Sequence, residues 1–199
     1  IASSRFFTVL ILVSFAKMFF GMQYLLLMPL FAVRHGLEAD GLGVIFVVLS
    51  AGAITGTMIV PALQRSRHAG KFMLGGAFVF TFFVTGFAFA PSYGIALLMI
   101  YCAGIMHSLF LVISMTAIQM RLPSNYRGRV MGIYVISFAL MPLGGLMGGN
   151  IAELYDERWA LTVSAAILAV IMVITYVTQR EIRTLRGDQL LAPVDEKSA

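Results

Sequence analysis

Charge is scarce in this chain. Asp, Glu, Lys and Arg make up 12% of its 199 residues, and none of the nine acids lies inside a long apolar run. Those runs therefore hold no carboxylate that could carry a proton or pair with a buried cation. Cysteine occurs once, as Cys102, which excludes an intramolecular disulfide and a Cys-based metal site. A Gly-x-Ser-x-Gly element, a carboxylate pair within an apolar run and a His/Asp/Glu constellation are all absent, so nucleophile activation and metal chemistry lack their parts. Ser108 adjoins His107, but neighbours in sequence do not converge on a helix. Catalytic residues, metal and cofactor are all expected to be none.

Apolar residues, by contrast, reach 60%, more than a soluble core of this size needs. About 20 of them in a row cross a hydrocarbon slab of about 30 Å. Six uncharged or nearly uncharged runs of that size occur, at residues 6–33, 42–64, 72–90, 93–120, 130–151 and 160–179. The expected class is an all-α membrane protein with six transmembrane helices, its six-helix domain covering 1–180 and a cytoplasmic tail covering 181–199. The first run is too long for a signal-peptide apolar region. The opening Ile, where Met is expected, points to a fragment or a processed chain.

The connections carry most of the charge. With the N-terminus inside, Arg5, Arg65, Arg67, Lys71, Arg121, Arg127, Arg129, Arg180, Arg183, Arg186 and Lys197 all fall on the cytoplasmic side, and only Arg34 and Arg158 fall outside. That asymmetry follows the positive-inside bias and predicts cytoplasmic termini in a cell inner (plasma) membrane. A pI near 9.7 also raises nucleic-acid binding, which is discounted because the cations cluster at span ends and form no surface stripe.

Span 3 is apolar and Phe-rich all round, as expected of a helix facing lipid over much of its circumference, and span 6 looks similar. Spans 2 and 5 carry Gly52 and Gly56, and Gly144, Gly145, Gly148 and Gly149, at spacings that permit close helix approach. Pro142 beside the second set predicts a kinked helix. The stretch after Arg180 is expected to extend the last helix and then fray.

Polar residues within spans are few. Lys17 lies 12 residues beyond Arg5, about 18 Å along a helix and near mid-bilayer. A lysine there costs roughly 2.5 to 3.5 kcal/mol to insert, so it should face protein or a wet cavity. Ser14, Lys17, Gly21 and Tyr24 share one helical face, read as cavity lining, while Gln23 points elsewhere. His107, 14 residues before Arg121, reaches a similar depth at about 21 Å, with Ala103 and Ser114 on its face. Lys17 either serves a pathway or pairs with a carboxylate outside this chain. His107 is either a packing residue or, with an ordinary pKa near 6.5, a proton relay.

The segment 119–161 reads Gln-Met-Arg-Leu-Pro (119–123), Tyr-Arg-Gly-Arg-Val-Met-Gly (126–132) and Met-Pro-Leu-Gly-Gly-Leu-Met-Gly-Gly (141–149). It resembles the major facilitator superfamily, and within it the branch of the enterobactin exporter and transmembrane secretion effectors. The segment 63–71 resembles a degenerate copy of that superfamily's cytoplasmic loop motif. Its acid is missing, and only the positive charge of Arg65, Arg67 and Lys71 remains. Pro142-Leu143-Gly144-Gly145 resembles an antiporter motif.

The resemblance implies the second, C-terminal half of a transporter, built as two inverted three-helix repeats. In such a half the first and fourth helices line the path, the second and fifth meet the opposite half, and the third and sixth face lipid. The implied partners are the lipid bilayer, a missing N-terminal six-helix half and a small-molecule substrate, with no nucleic acid. Lys17, His107, Ser14, Tyr24 and Ser114 become the substrate or proton pathway, and Arg127, Gly128 and Arg129, with the span 2 and 5 glycines and Pro142, the gating or packing set. The function expected is proton-coupled efflux of an amphipathic or lipophilic molecule by alternating access. A homodimeric six-helix carrier or channel is the alternative, and an intramembrane enzyme the third class considered.

Overall fold

The computed structural model describes residues 2–122 and 124–187. Nine α-helices and one short 3-10 turn are found among them: α1 (Ala2–Gly21), α2 (Gln23–Arg34), α3 (Ala39–Gln64), α4 (Ala69–Ala88), α5 (Tyr93–Arg121), α6 (Ser124–Ile136), the 3-10 turn (Ser137–Ala139), α7 (Leu140–Leu154), α8 (Glu157–Thr178) and α9 (Arg180–Arg183). Lipid offers no partner to a backbone N–H or C=O, so apolar runs of this length satisfy their own hydrogen bonds as helices. Six stretches are long and apolar enough to cross a membrane: Arg5–Arg34, Ala39–Gln64, Ala69–Ala88, Tyr93–Arg121, Asn125–Leu154 and Glu157–Thr178. They are spans 1 to 6.

Two of these spans are broken. Span 1 interrupts at Met22, between α1 and α2, and span 5 at Ser137–Ala139. The second break has a local cause in Pro142, which has no N–H to donate to Phe138 four residues earlier and so favours a tighter turn just before it. Turn chemistry is equally local elsewhere. Gly36, the only positive-φ residue described (φ 63°), closes α2 as Gly36 N–H donates to Val33 O at 3.1 Å and Leu37 N–H to Ala32 O at 2.9 Å. This pair of bonds is the Schellman arrangement that a left-handed glycine allows. Asp156 caps α8 by accepting from Arg158 N–H at 3.1 Å.

Helix packing has an internal symmetry. Span 2 packs on span 4 and span 5 on span 1; span 3 packs on span 4 and span 6 on span 1; spans 3 and 6 pack on each other. Exchanging spans 1, 2 and 3 with spans 4, 5 and 6 leaves this set unchanged, while span 5 also packs on span 6 more closely than span 2 does on span 3. Because each repeat has three spans, the two repeats cross in opposite directions, which is an inverted repeat.

Burial departs from the pattern expected of span 3. Half of its apolar window is buried, as much as for span 1, whereas span 2 is 22% and span 5 is 17% buried. Phe80 and Phe87 point inward while Phe78, Phe82 and Phe89 remain exposed. A uniformly apolar helix gives no clue to its inner face, and here the fold seats it between spans 4 and 6.

After span 6 the chain turns at Gln179 (φ −104°, ψ 77°) into α9. Ile182 and Leu185 are buried, Gly70 N–H donates to Leu185 O at 3.1 Å and Gly187 N–H to Ser66 O at 2.9 Å. The segment 180–187 is therefore strapped beneath the connection between spans 2 and 3, where fraying was expected. Of the tail expected over residues 181–199, residues 188–199, with Lys197, lie outside the described residues.

Candidate functional site

Spans 1 and 4 bring the two mid-span bases together. Lys17 Nζ lies 2.6 Å from His107 Nδ1, and Lys17 is fully buried. Its ammonium position also sits 4.3 Å from the centroid of Phe80 and 5.5 Å from that of Phe110, faces that attract a cation. Among the described residues the only salt bridges link Arg34 to Asp156 and Glu157, so Lys17 meets a base and two rings where a carboxylate would be usual.

One nitrogen of a hydrogen-bonded Lys–His pair must donate and the other accept. The singly charged pair shares one bridging proton, either as ammonium to imidazole or as imidazolium N–H to amine. Two full charges at that separation would repel by on the order of 6 kcal/mol at an effective dielectric of about 20. A second proton thus drives the two side chains apart.

Ser14, one turn from Lys17, and Ser114, two turns from His107, lie to one side of this pair. Ser114 Oγ and Tyr134 Oη are 3.0 Å apart, and Ser14 donates to Leu10 O at 2.8 Å. Tyr134, from α6, was not among the residues read from the sequence. A tyrosine at the start of span 5 looks like an interfacial anchor, and only the packing of α6 across spans 1 and 4 turns it inward. Tyr24 is buried and meets Phe80 edge to face at 5.7 Å. The face expected to line a cavity is closed here: Ser14, Lys17, Tyr24 and Ser114 are all buried because spans 3, 4 and 5 pack over it.

Gln23 was expected only to point away from the face of Ser14, Lys17 and Tyr24, with no partner assigned. It is fully buried, accepts from Ser164 Oγ at 2.7 Å and donates to Phe19 O at 3.2 Å. A lone amide in one span and a lone serine in another were the available signal, since each must find a partner in an apolar bundle.

The glycines divide into two sets. A Cβ at Gly52 would collide with Tyr101 O, one at Gly56 would lie 2.7 Å from Ile105 O, one at Gly144 would collide with Phe19 O, and one at Gly148 would lie 2.7 Å from Gln23 Oε1. Gly145 is closed by Leu26 in the same way. These glycines serve contacts inside the bundle, span 2 on span 4 and span 5 on span 1. Gly128, Gly132 and Gly149 meet nothing within 4 Å. Beside them Arg127 donates to Leu122 O at 3.4 Å, and Arg129 is exposed.

At the other end of the molecule Arg34 bonds both carboxylates of the α8 start, Asp156 at 2.9 and 3.0 Å and Glu157. Glu157 foremost, then the Arg158 amide and Arg34, hold the Asp156 carboxyl well below the usual range, at about 2. No group of His, Cys, Asp and Glu that could hold a metal occurs among the described residues.

The sequence matches the transmembrane secretion effector family over residues 1–190. No curated protein matches it. Among solved structures it is similar to a POT family transporter in complex with a thioalcohol-conjugated peptide, at 15% identity and TM-score 0.77, and to a peptide transporter POT carrying a point substitution, at 14% identity and TM-score 0.78. Each match covers 97% of this chain and 42% of the other, so the chain spans about two-fifths of their length. At such identity the likeness speaks for fold alone, and the fold is that of a six-helix half of a major facilitator. The chain belongs to the transmembrane secretion effector family and is a multi-pass membrane protein of the major facilitator superfamily.

Proposed function

We propose that this chain is the C-terminal half of a secondary transporter that exports a small amphipathic or lipophilic molecule by alternating access, driven by a proton gradient. A second six-helix unit faces spans 2 and 5 and completes the path, and the assembly sits in the plasma membrane with both termini cytoplasmic. Support for the partner comes from the shallow burial of those two spans and from the large apolar residues they expose, among them Val47, Ile54, Met58, Leu143 and Leu146.

The observation that carries the coupling is the 2.6 Å contact between Lys17 and His107, bridging spans 1 and 4 in a bundle whose described acids lie only at or beyond the ends of the spans. With one proton the pair clamps the two helices. A second proton adds like charge and separates them, and the break at Met22, five residues beyond Lys17, gives span 1 a place to bend. Loss of that proton on the other side restores the clamp.

Efflux of a fluorescent amphipathic dye from vesicles under an imposed pH gradient tests this directly. In the whole transporter, Lys17→Ala and His107→Ala should each uncouple efflux from the gradient. Unchanged gradient dependence in both variants would remove the pair from the mechanism.

A further inference from the structure

Spans 3 and 6 enclose a groove of about 370 Å³ lined by Lys71, Leu74, Gly75, Phe78, Met172, Val173 and Tyr176. That volume is within the range of about 300 to 1,000 Å³ typical of ligand sites. Apart from Lys71 and the Tyr176 hydroxyl its lining is hydrocarbon and ring. Lys71 is exposed at the start of α4 and has no carboxylate partner among the described residues. A second cation stands beside Tyr176: Arg183 donates to Tyr176 O at 3.3 Å, and its guanidinium carbon lies 5.4 Å from the ring centroid. Glu181, the acid of α9, forms no salt bridge with Arg183.

We infer that this groove binds one anionic phospholipid, an acyl chain lying along α4 and α8 and the phosphate held at Lys71 and Arg183. Charge and length both select that occupant. From Lys71 to Phe78 the helix rises about 10 Å, which reaches well into a leaflet of roughly 15 Å, half of the hydrocarbon thickness. A groove at that depth is bathed in acyl chains, and two cations with no carboxylate partner among the described residues favour an anionic head over a zwitterionic one at its mouth. Juxtamembrane cations each contribute about five-fold to such attraction. The docked strap supplies part of this mouth, since the burial of Ile182 and Leu185 is what brings Arg183 back to Tyr176. The site stands on the membrane-spanning fold and is independent of the proton-coupling proposal.

Native mass spectrometry of the whole protein, delipidated and then offered phosphatidylglycerol and phosphatidylcholine in equal amount, reads the preference. The wild-type protein should retain phosphatidylglycerol preferentially, and Lys71→Gln and Arg183→Gln should each lower that preference about five-fold. Gly75 lines the groove and a Cβ there meets nothing within 4 Å, so Gly75→Leu projects into the groove and should abolish retention of either lipid while the protein stays folded by circular dichroism. Arg67→Gln, a cation on the neighbouring connection, should leave the preference unchanged. Equal retention of the two lipids by the wild-type protein, or undiminished phosphatidylglycerol retention in Gly75→Leu or Lys71→Gln, would overturn the proposal.

Discussion

Lys17 was legible as costly to bury and His107 as lying at the same depth, because rise per residue is a property of any helix. Their contact was not, since two residues separated by 90 positions meet only once spans 1 and 4 are packed. Removing one member leaves the other's polar atoms in an apolar bundle, which costs about 1 to 3 kcal/mol. His107→Leu should therefore lower thermal stability in detergent by that amount, and the double variant Lys17→Met/His107→Leu should recover much of it. Non-additivity in that cycle is the measurement that checks the pair. Gln23 and Ser164 obey the same rule: Ser164→Ala strips Gln23 of a donor and should cost about 1 kcal/mol, read from a denaturant or thermal transition. At the exposed end, the Asp156 carboxyl is held down to about 2, so its contribution is present above the ordinary carboxylate range and lost as pH falls through about 2. Between pH 7 and 5 the Arg34 cluster should leave stability unchanged, and Arg34→Gln should cost no more than about 1 kcal/mol, as exposed ion pairs do.

Individual helices were legible wherever apolar length alone decides. All six spans were readable as runs, and the kink expected near Pro142 is the 3-10 turn at Ser137–Ala139. The break at Met22 was not, because no proline or charge marks it and Gly21 is one glycine among many. Which glycines face a neighbour was equally invisible, since spacing shows that close approach is permitted and not where it happens. The structure separates them, and substitution can check the separation. Gly144→Val drives a side chain into Phe19 O and Gly52→Val into Tyr101 O, so both should destabilise the fold by about 1 to 3 kcal/mol or more. Gly128→Ala and Gly132→Ala meet open space and should leave the melting temperature unchanged or slightly raised, as removal of glycine from a helix interior does. If Gly128 lies at a gate closed by the second six-helix unit, Gly128→Leu should impair transport without lowering stability.

Across the whole molecule, the orientation proposal predicts which cations can be reached from each side. With Cys102 replaced by Ser, single cysteines at positions 67 and 127 should resist an impermeant maleimide added to intact cells, and a cysteine at position 158 should react. Labelling in the opposite sense would reverse the proposed orientation. The amino-acid sequence by itself determined the solvent of this protein, the number of its spans and which connections carry its cations, because hydrocarbon length and cation position act on each segment separately. The tertiary structure alone decided that Lys17 meets His107, that Tyr134 and Gln23 turn inward, that span 3 is packed between spans 4 and 6, and that the strap docks beneath the connection between spans 2 and 3. Those features depend on which helix faces lie together, and in a chain that is apolar almost everywhere the side-chain pattern marks too few faces to choose among the pairings.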